Sequence, residues 1–469
     1  MTLNYKGSGT VLFENQQYRC DLYMNDQEGS VMIKISIPKG IAGFLELPLK
    51  IARLAGELST GFHFILQNCS RCGMTNLISE NRSEYKYMVK YMIYGVGQEH
   101  LDVKFSKVSF VLRDIISWGG ISYYSLDKEY KVGYSDDPGM VLYEDDDMRV
   151  EYNVSGNILP CIESDLLKEK ILIEQYGSIC IQFSEEKSIE KYTEELMKIK
   201  RLIELSALHR IGIDEIWGWS SAVLDANDNQ GRTERPVKII SDCIHKSENK
   251  LEREDTWRFI TLKELLENDG FHFYFEKYEK LEPIVELYME LFREGGISKR
   301  RMFLNLVQAL ETYHSRFKTN NLKEFKRRIE EEILINRSDD FKEKDRKFLM
   351  AKSRKFITLE SRLADLLLAE FKIYFETGDI PREKFPEVIA STRNYYIHYD
   401  ERIKEKIHIL NDDEVEIYNN VLISMLEYYL LMELGFRNAQ KMHEKLISRW
   451  GSVLERLSIL HASEKRNND

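Results

Sequence analysis

The stretch STRNYYIHYD, Ser391 to Asp400, sets an arginine, an asparagine and a histidine in the pattern Arg393-Asn394-x-x-x-His398. These residue types suit the cleavage of RNA, which carries its own nucleophile in the ribose 2′-OH. Imidazole is the side chain that exchanges a proton near neutral pH. A guanidinium is planar, always charged and matched to phosphate, so it can stabilise charge that builds on phosphoryl oxygens. An asparagine amide can hold either the imidazole or the phosphate in place. Such a reaction calls for no metal ion, and it leaves a 2′,3′-cyclic phosphate and a 5′-OH.

Asn394 and His398 are four residues apart and share one face of a helix. Arg393 precedes His398 by five residues, about 140° around an ideal helix. Its long side chain can still curl toward the same phosphate, most readily if a second copy of the helix faces it in a symmetric dimer. The plainer reading is that Arg393 and Asn394 are solvated and His398 merely ends the helix. Spacing alone does not separate the two.

Three further residues are supporting candidates. On the helix expected over Met302–Arg316 the apolar stripe is Phe303, Leu306, Val307, Leu310 and Tyr313. Glu311 lies beside that stripe, and an acid facing Arg393 would orient it. His314 follows one turn later. For both, an exposed helix position is the alternative. Tyr395 could stack on a base, whereas Tyr396 reads as core.

The elements that must position these residues are helical. The motif helix is expected from Phe385 to Tyr399, with Pro386 tolerated in its first turn. Its buried stripe is expected to be Phe385, Val388 or Ile389, Thr392, Tyr396 and Tyr399. Other helices are expected over Leu281–Phe292, Leu322–Ile335, Leu359–Phe375, Asp412–Leu434 and Lys441–Ile459, the fourth capped by Asp412. An earlier one, Ser188–Leu208, carries the stripe Tyr192, Leu196, Ile199, Leu202 and Ile203. Before it the sequence reads as short strands separated by turn residues, as in Tyr18–Met24, Val31–Ile37, Val103–Leu112 and Ile179–Phe183. The fold class is therefore α+β and multidomain: a β-rich, sandwich-like domain over 1–240, a connecting region over 241–274 and an all-α bundle over 275–469.

Composition agrees with a chain of two or three domains. It has 469 residues, 43% hydrophobic and 31% charged, with 8 prolines. The net charge of -11 falls almost wholly before Ile297. The helical part is close to balance, so it tolerates a polyanion better than the β-rich part does. No run approaches the ~18 apolar residues of a membrane span. The N-terminus lacks the basic and apolar segments of a secretory leader. With six cysteines scattered between Cys20 and Cys243, a cytoplasmic location is expected.

Cys69-Ser-Arg-Cys72 has the spacing of half a zinc site. No second such pair exists, and Cys20, His63, Cys161 or Cys180 could complete a site only through folding. Structural zinc is a weak candidate, and no cofactor is expected. The acidic run Glu144–Asp147 reads as a solvated turn.

The Arg393-Asn394-x-x-x-His398 motif on a late helix resembles the HEPN superfamily and its Arg-x4–6-His signature. The Arg-Asn start, the flanking tyrosines and the preceding helix FLNLVQALETYHSR (Phe303–Arg316) look like the ApeA-like HEPN group. The layout is also similar to ApeA-type anti-phage proteins. The resemblance implies a HEPN endoribonuclease domain following a sensing or regulatory domain. It implies cleavage of cellular RNA, tRNA among the plausible targets, in abortive-infection defence. Arg393, Asn394 and His398 carry over as the catalytic set, His398 as general acid/base, Arg393 as transition-state stabiliser and Asn394 as positioner. The expected partners are RNA, a second copy of the chain in a homodimer or larger symmetric assembly, and a phage-derived trigger, with no membrane. The alternative is a non-catalytic HEPN interaction module joined to a ligand-binding β domain.

Overall fold

The computed structural model describes residues 4–25, 29–38, 47–135, 139–157, 172–224, 234–244, 259–293, 296–335, 355–375 and 380–449. The described chain divides into two compact units. One comprises 1–200 with 211–253, the other 201–210 with 254–469. This differs from boundaries at 240 and 275. The stretch read as a connector contains a helix, Leu262–Glu267, started by a capping box in which Thr261 and Glu264 satisfy each other's backbone N–H groups. Leu262, Leu265 and Phe271 are buried in the helical unit.

The β-rich unit has strands β1 Asn4–Phe13, β2 Gln16–Asn25, β3 Ser30–Pro38, β4 Lys50–Leu58, β5 His63–Leu77, β6 Arg82–Tyr94, β7 Phe105–Leu112, β8 Tyr124–Leu126, β9 Val132–Tyr134, β10 Gly139–Glu144, β11 Met148–Gly156, β12 Gln175–Lys187, β13 Ile213–Trp219 and β14 Val237–Ser241. The sheet takes a form other than a sandwich. Following the pairings β1–β2–β3–β6–β5–β4 leads back to β1, a closed six-stranded antiparallel barrel. Closure removes the exposed edges that an open sheet would have to protect. It depends on Gly9, which pairs with Leu58. A Cβ there would lie 2.1 Å from the Glu57 carbonyl oxygen. Alternate residues of β3, Val31, Ile33, Ile35 and Ile37, point into the barrel core with Leu22, Phe64, Leu66 and Tyr87. From β6 the sheet continues through β14, β13, β7, β12, β11 and β10.

Ten helices are described: α1 Ile115–Gly119, α2 Ile189–Ala207, α3 Leu262–Glu267, α4 Gly270–Met289, α5 Lys299–Tyr313, α6 Leu322–Ile335, α7 Leu359–Leu366, α8 Phe385–His398, α9 Asp412–Glu433 and α10 Ala439–Ser448. The expected stripe of α2 is fully buried. In the helical unit α9 is central, with Val415, Leu422, Met425, Leu426 and Tyr429 buried and α5 packed along it. Its cap is Asn411, not Asp412: the Asn411 side chain accepts from the N–H groups of Asp413 and Glu414. The helix expected over Leu359–Phe375 breaks after Leu366, and Arg382 Nη2 donates to the freed carbonyls of Leu367 and Leu368 at 3.0 and 2.6 Å. The end of the last expected helix, past residue 449, lies outside the described residues. Among the described residues no helix is long and apolar enough to cross a membrane.

Candidate active site

Helix α8 carries the motif and is fixed from three sides. Phe385 meets Tyr418 and Phe375 with ring centroids 5.9 and 5.0 Å apart. Tyr396 packs edge-on to Phe303 of α5 at 5.9 Å. The chain that follows α8 folds back onto it: Leu410 N–H donates to Thr392 Oγ1 at 3.2 Å, and the Tyr396 hydroxyl donates to the Leu410 carbonyl at 2.7 Å. Both backbone groups of one residue are thus taken by side chains of the motif helix, which anchors its face inside an otherwise polar loop.

On that anchored helix Arg393 is held by its neighbours. Its Nη1 donates to Asn394 Oδ1 at 3.1 Å, and its Nη2 lies 3.7 Å from Glu311 Oε2 on α5. Both ends of the ion pair are about one-third exposed, 31% and 34%. The guanidinium has five N–H donors, so it is oriented yet keeps donors for an incoming phosphate. Asn394 spends its carbonyl on Arg393 and retains its amide N–H groups. His398 is the last residue of α8 and is exposed. The structure thus brings Glu311, Arg393 and Asn394 together and leaves His398 open to solvent on the face that Asn394 shares.

The other candidates fall differently. His314 is fully buried. It accepts from Arg362 Nη1 at Nδ1, 3.0 Å away, and its Nε2 faces Asp365 Oδ2 at 2.8 Å. Nε2 therefore carries the proton of a neutral ring. Burial lowers the His314 pKa, against the pull of Asp365. Burial pushes the Asp365 carboxyl up, but hydrogen bonds from His314 and Arg328 outweigh it and hold the group well below the usual carboxylate range. Arg328 grips both Asp365 oxygens at 2.9 and 2.5 Å. Tyr395 is buried: its hydroxyl donates to Glu401 at 3.0 Å and Lys404 sits 4.4 Å from its ring centre. Tyr399, expected in the stripe, is instead 62% exposed.

Sequence reasoning missed Arg328, Arg362 and Asp365. Arg362 and Asp365 are three residues apart on α7, a polar pair beside the buried Leu363 and Leu366. That pattern reads equally well as a solvated face. Arg362 is buried, its Nε has no partner, and Glu311 is the acid whose charge reaches it. Glu311 thus stands between a buried cation and Arg393.

The cysteine pair does not converge. Cys69 points into the barrel core, its thiol pushed up to about 12 by burial, while Cys72 is exposed, 3.5 Å from the Lys86 carbonyl. They sit three residues apart on β5 with a register shift between Arg71 and Gly73. Among the described residues no group of three or more His, Cys, Asp or Glu is placed to hold a metal ion. Cys161 lies outside them. The acidic run forms a turn in which Asp145 Oδ1 accepts from the N–H groups of Asp147 and Met148.

Comparison with known families matches residues 304–440 to Apea-like HEPN and residues 5–271 to ApeA N-terminal domain 1. The second match alone spans more than half of the 469 residues. The chain belongs to the ApeA family. No curated protein and no solved structure matches it. The HEPN match covers α8 with Arg393, Asn394 and His398, Glu311 of α5, His314 directly after α5, and the buried α6–α7 cluster. The N-terminal match covers the barrel and the sheet that continues from it. In this ApeA-type β-rich unit a cleft of about 1120 Å³ is lined by Ser109, Arg113, Tyr176, Asp214 and Trp217 among others.

Proposed function

We propose that this ApeA-family chain is a metal-independent endoribonuclease of anti-phage defence, with its site on α8. The observation that carries the reading is Arg393, oriented by Asn394 and Glu311 and still open to solvent, on the helix that ends in an exposed His398. In the proposed reaction a base takes the proton of the ribose 2′-OH, and O2′ attacks the adjacent phosphorus. The P–O5′ bond breaks, and the departing O5′ receives a proton. His398 serves as general acid/base, Arg393 stabilises charge on the non-bridging oxygens, and Asn394 positions the phosphate. Two proton transfers need two groups, which a homodimer would supply by bringing two copies of His398 to one groove. The proposed setting is the cytoplasm. The proposed substrate is cellular RNA such as tRNA, and a phage-derived trigger would act through the β-rich unit.

The test is induced expression in bacterial cells, wild type beside His398→Ala, with total RNA resolved on gels. Wild type is expected to fragment stable RNA and arrest growth, and the variant to accumulate to the same level with RNA intact. Equal RNA damage by both would refute the assignment of His398. Intact RNA with both, even after phage infection, would favour the non-catalytic interaction module.

A further inference from the structure

We propose that Tyr399 is the base-binding platform of this site, stacking on the nucleobase beside the phosphate that His398 and Arg393 attend. The inference rests on the ribonuclease reading and adds to it a residue that holds the base. Tyr399 caps α8 with φ 51° and ψ 36°, in the left-handed region. That conformation favours glycine, and a bulky aromatic residue rarely adopts it. Glycine takes the left-handed positions after α1 (Gly120, φ 68°) and α9 (Gly435, φ 91°), while Leu208 (φ 50°) after α2 is a bulky residue there whose side chain is buried, unlike the Tyr399 ring. The cap itself needs only the backbone of Tyr399, whose N–H donates to the Tyr395 carbonyl at 2.6 Å. The left-handed turn swings the ring off the buried stripe, so that Tyr395 and Tyr396 are covered and Tyr399 is 62% exposed. Among the described residues its ring contact is edge-on to Tyr395, centroids 5.7 Å apart. A strained backbone that holds an aromatic ring in solvent, directly after the proposed proton-transfer residue, has no packing explanation. Stacking on a base provides one.

The surroundings suit a nucleotide. Arg300 lies 5.2 Å from the Tyr396 ring centre, and Lys404 4.4 Å from that of Tyr395. Two cations thus lie beside the aromatic cluster, each paired with an exposed acid, Arg300 with Asp412 and Lys404 with Glu401, which a phosphate would have to displace. Base–aromatic stacking tolerates any base, so Tyr399 would strengthen binding at an unpaired nucleotide without selecting its identity.

The test uses full-length protein, wild type beside Tyr399→Gly and Tyr399→Phe. The binding probe is a short single-stranded RNA of mixed sequence, 2′-O-methylated to block cleavage. Tyr399→Gly is expected to bind on the order of tenfold or more weakly. Its KM for unmodified RNA should rise more than its kcat falls. Its thermal midpoint should rise because the left-handed strain is relieved, and its oligomeric state should not change. Tyr399→Phe is expected to match wild type. Unchanged binding by Tyr399→Gly would overturn the proposal. So would a lowered thermal midpoint, which would make the ring a packing group, or a changed oligomeric state, which would make it a contact between copies. If wild type itself does not cleave RNA, the ribonuclease reading fails; if it cleaves and Tyr399→Gly binds equally well, only the platform fails.

Discussion

Arg393 shows how a surface arginine becomes a positioned one. Its guanidinium is tied on one side to Asn394 and faces Glu311 on the other. Glu311 answers in turn to the buried Arg362. Replacing Glu311 by Gln keeps the shape and removes the charge. The expected result is a kcat for RNA cleavage lowered on the order of tenfold by the misplaced guanidinium. The stability change should stay under about 1 kcal/mol, because the pair is about one-third exposed and screened by solvent. Parallel kinetics and thermal melts check both. Glu311 was legible in the sequence because it borders a clear apolar stripe. The role of His314 was not, since a histidine one turn further along looks the same whether it faces solvent or a buried carboxylate. Tyr399 was misread for a local reason: the helical period was extended one residue past the point where the backbone turns left-handed.

Elements supply the packing beneath the candidate site. Beneath α5, the helices α6 and α7 contribute Arg328, Arg362 and Asp365 to a buried cluster around His314. Asp365→Asn would remove the carboxylate charge that Arg328 grips and that His314 faces, at a cost of about 3–5 kcal/mol near neutral pH. The folded-state pKa of Asp365 lies below its unfolded value of about 3.9. Its stabilising contribution is therefore full above that pH and is lost as pH falls toward the folded value. The gap between wild type and Asp365→Asn should narrow below about pH 4, as read by denaturant titrations. His314 acts in the same sense at higher pH. It is neutral in the fold with a lowered pKa, so the unfolded chain takes up the proton first as pH falls below about 6.5. His314→Gln should flatten the slope of stability against pH just below that value. The helices were legible because their 3.6-residue period survives in single segments. The break after Leu366 was not, because it depends on Arg382, distant in sequence, capping two carbonyls.

At the scale of the whole molecule, the sequence conveyed a β-rich half and a helical half, but not how the strands close or where the halves divide. Barrel closure rests on β1–β4 and β5–β6 pairings, and no local alternation encodes such long-range registers. The division was hidden because residues 201–210 and 254–274 belong with the helical unit. Arg201 pairs with Glu286 and Phe259 N–H donates to the Ser206 carbonyl at 2.9 Å. A fragment cut at residue 275 should therefore lose helicity and aggregate, because it lacks the buried Leu202, Leu205, Leu262, Leu265 and Phe271. Circular dichroism and gel filtration of that fragment beside the full chain check this.

The central claim, that the α8 site cuts RNA by 2′-OH attack, is tested most directly by incubating purified protein with total cellular RNA in EDTA and analysing the new ends. Wild type is expected to leave 2′,3′-cyclic phosphate and 5′-OH termini, and His398→Ala, equally folded, to leave none. Wild-type products with 5′-phosphate ends, or cleavage that EDTA abolishes, would contradict it.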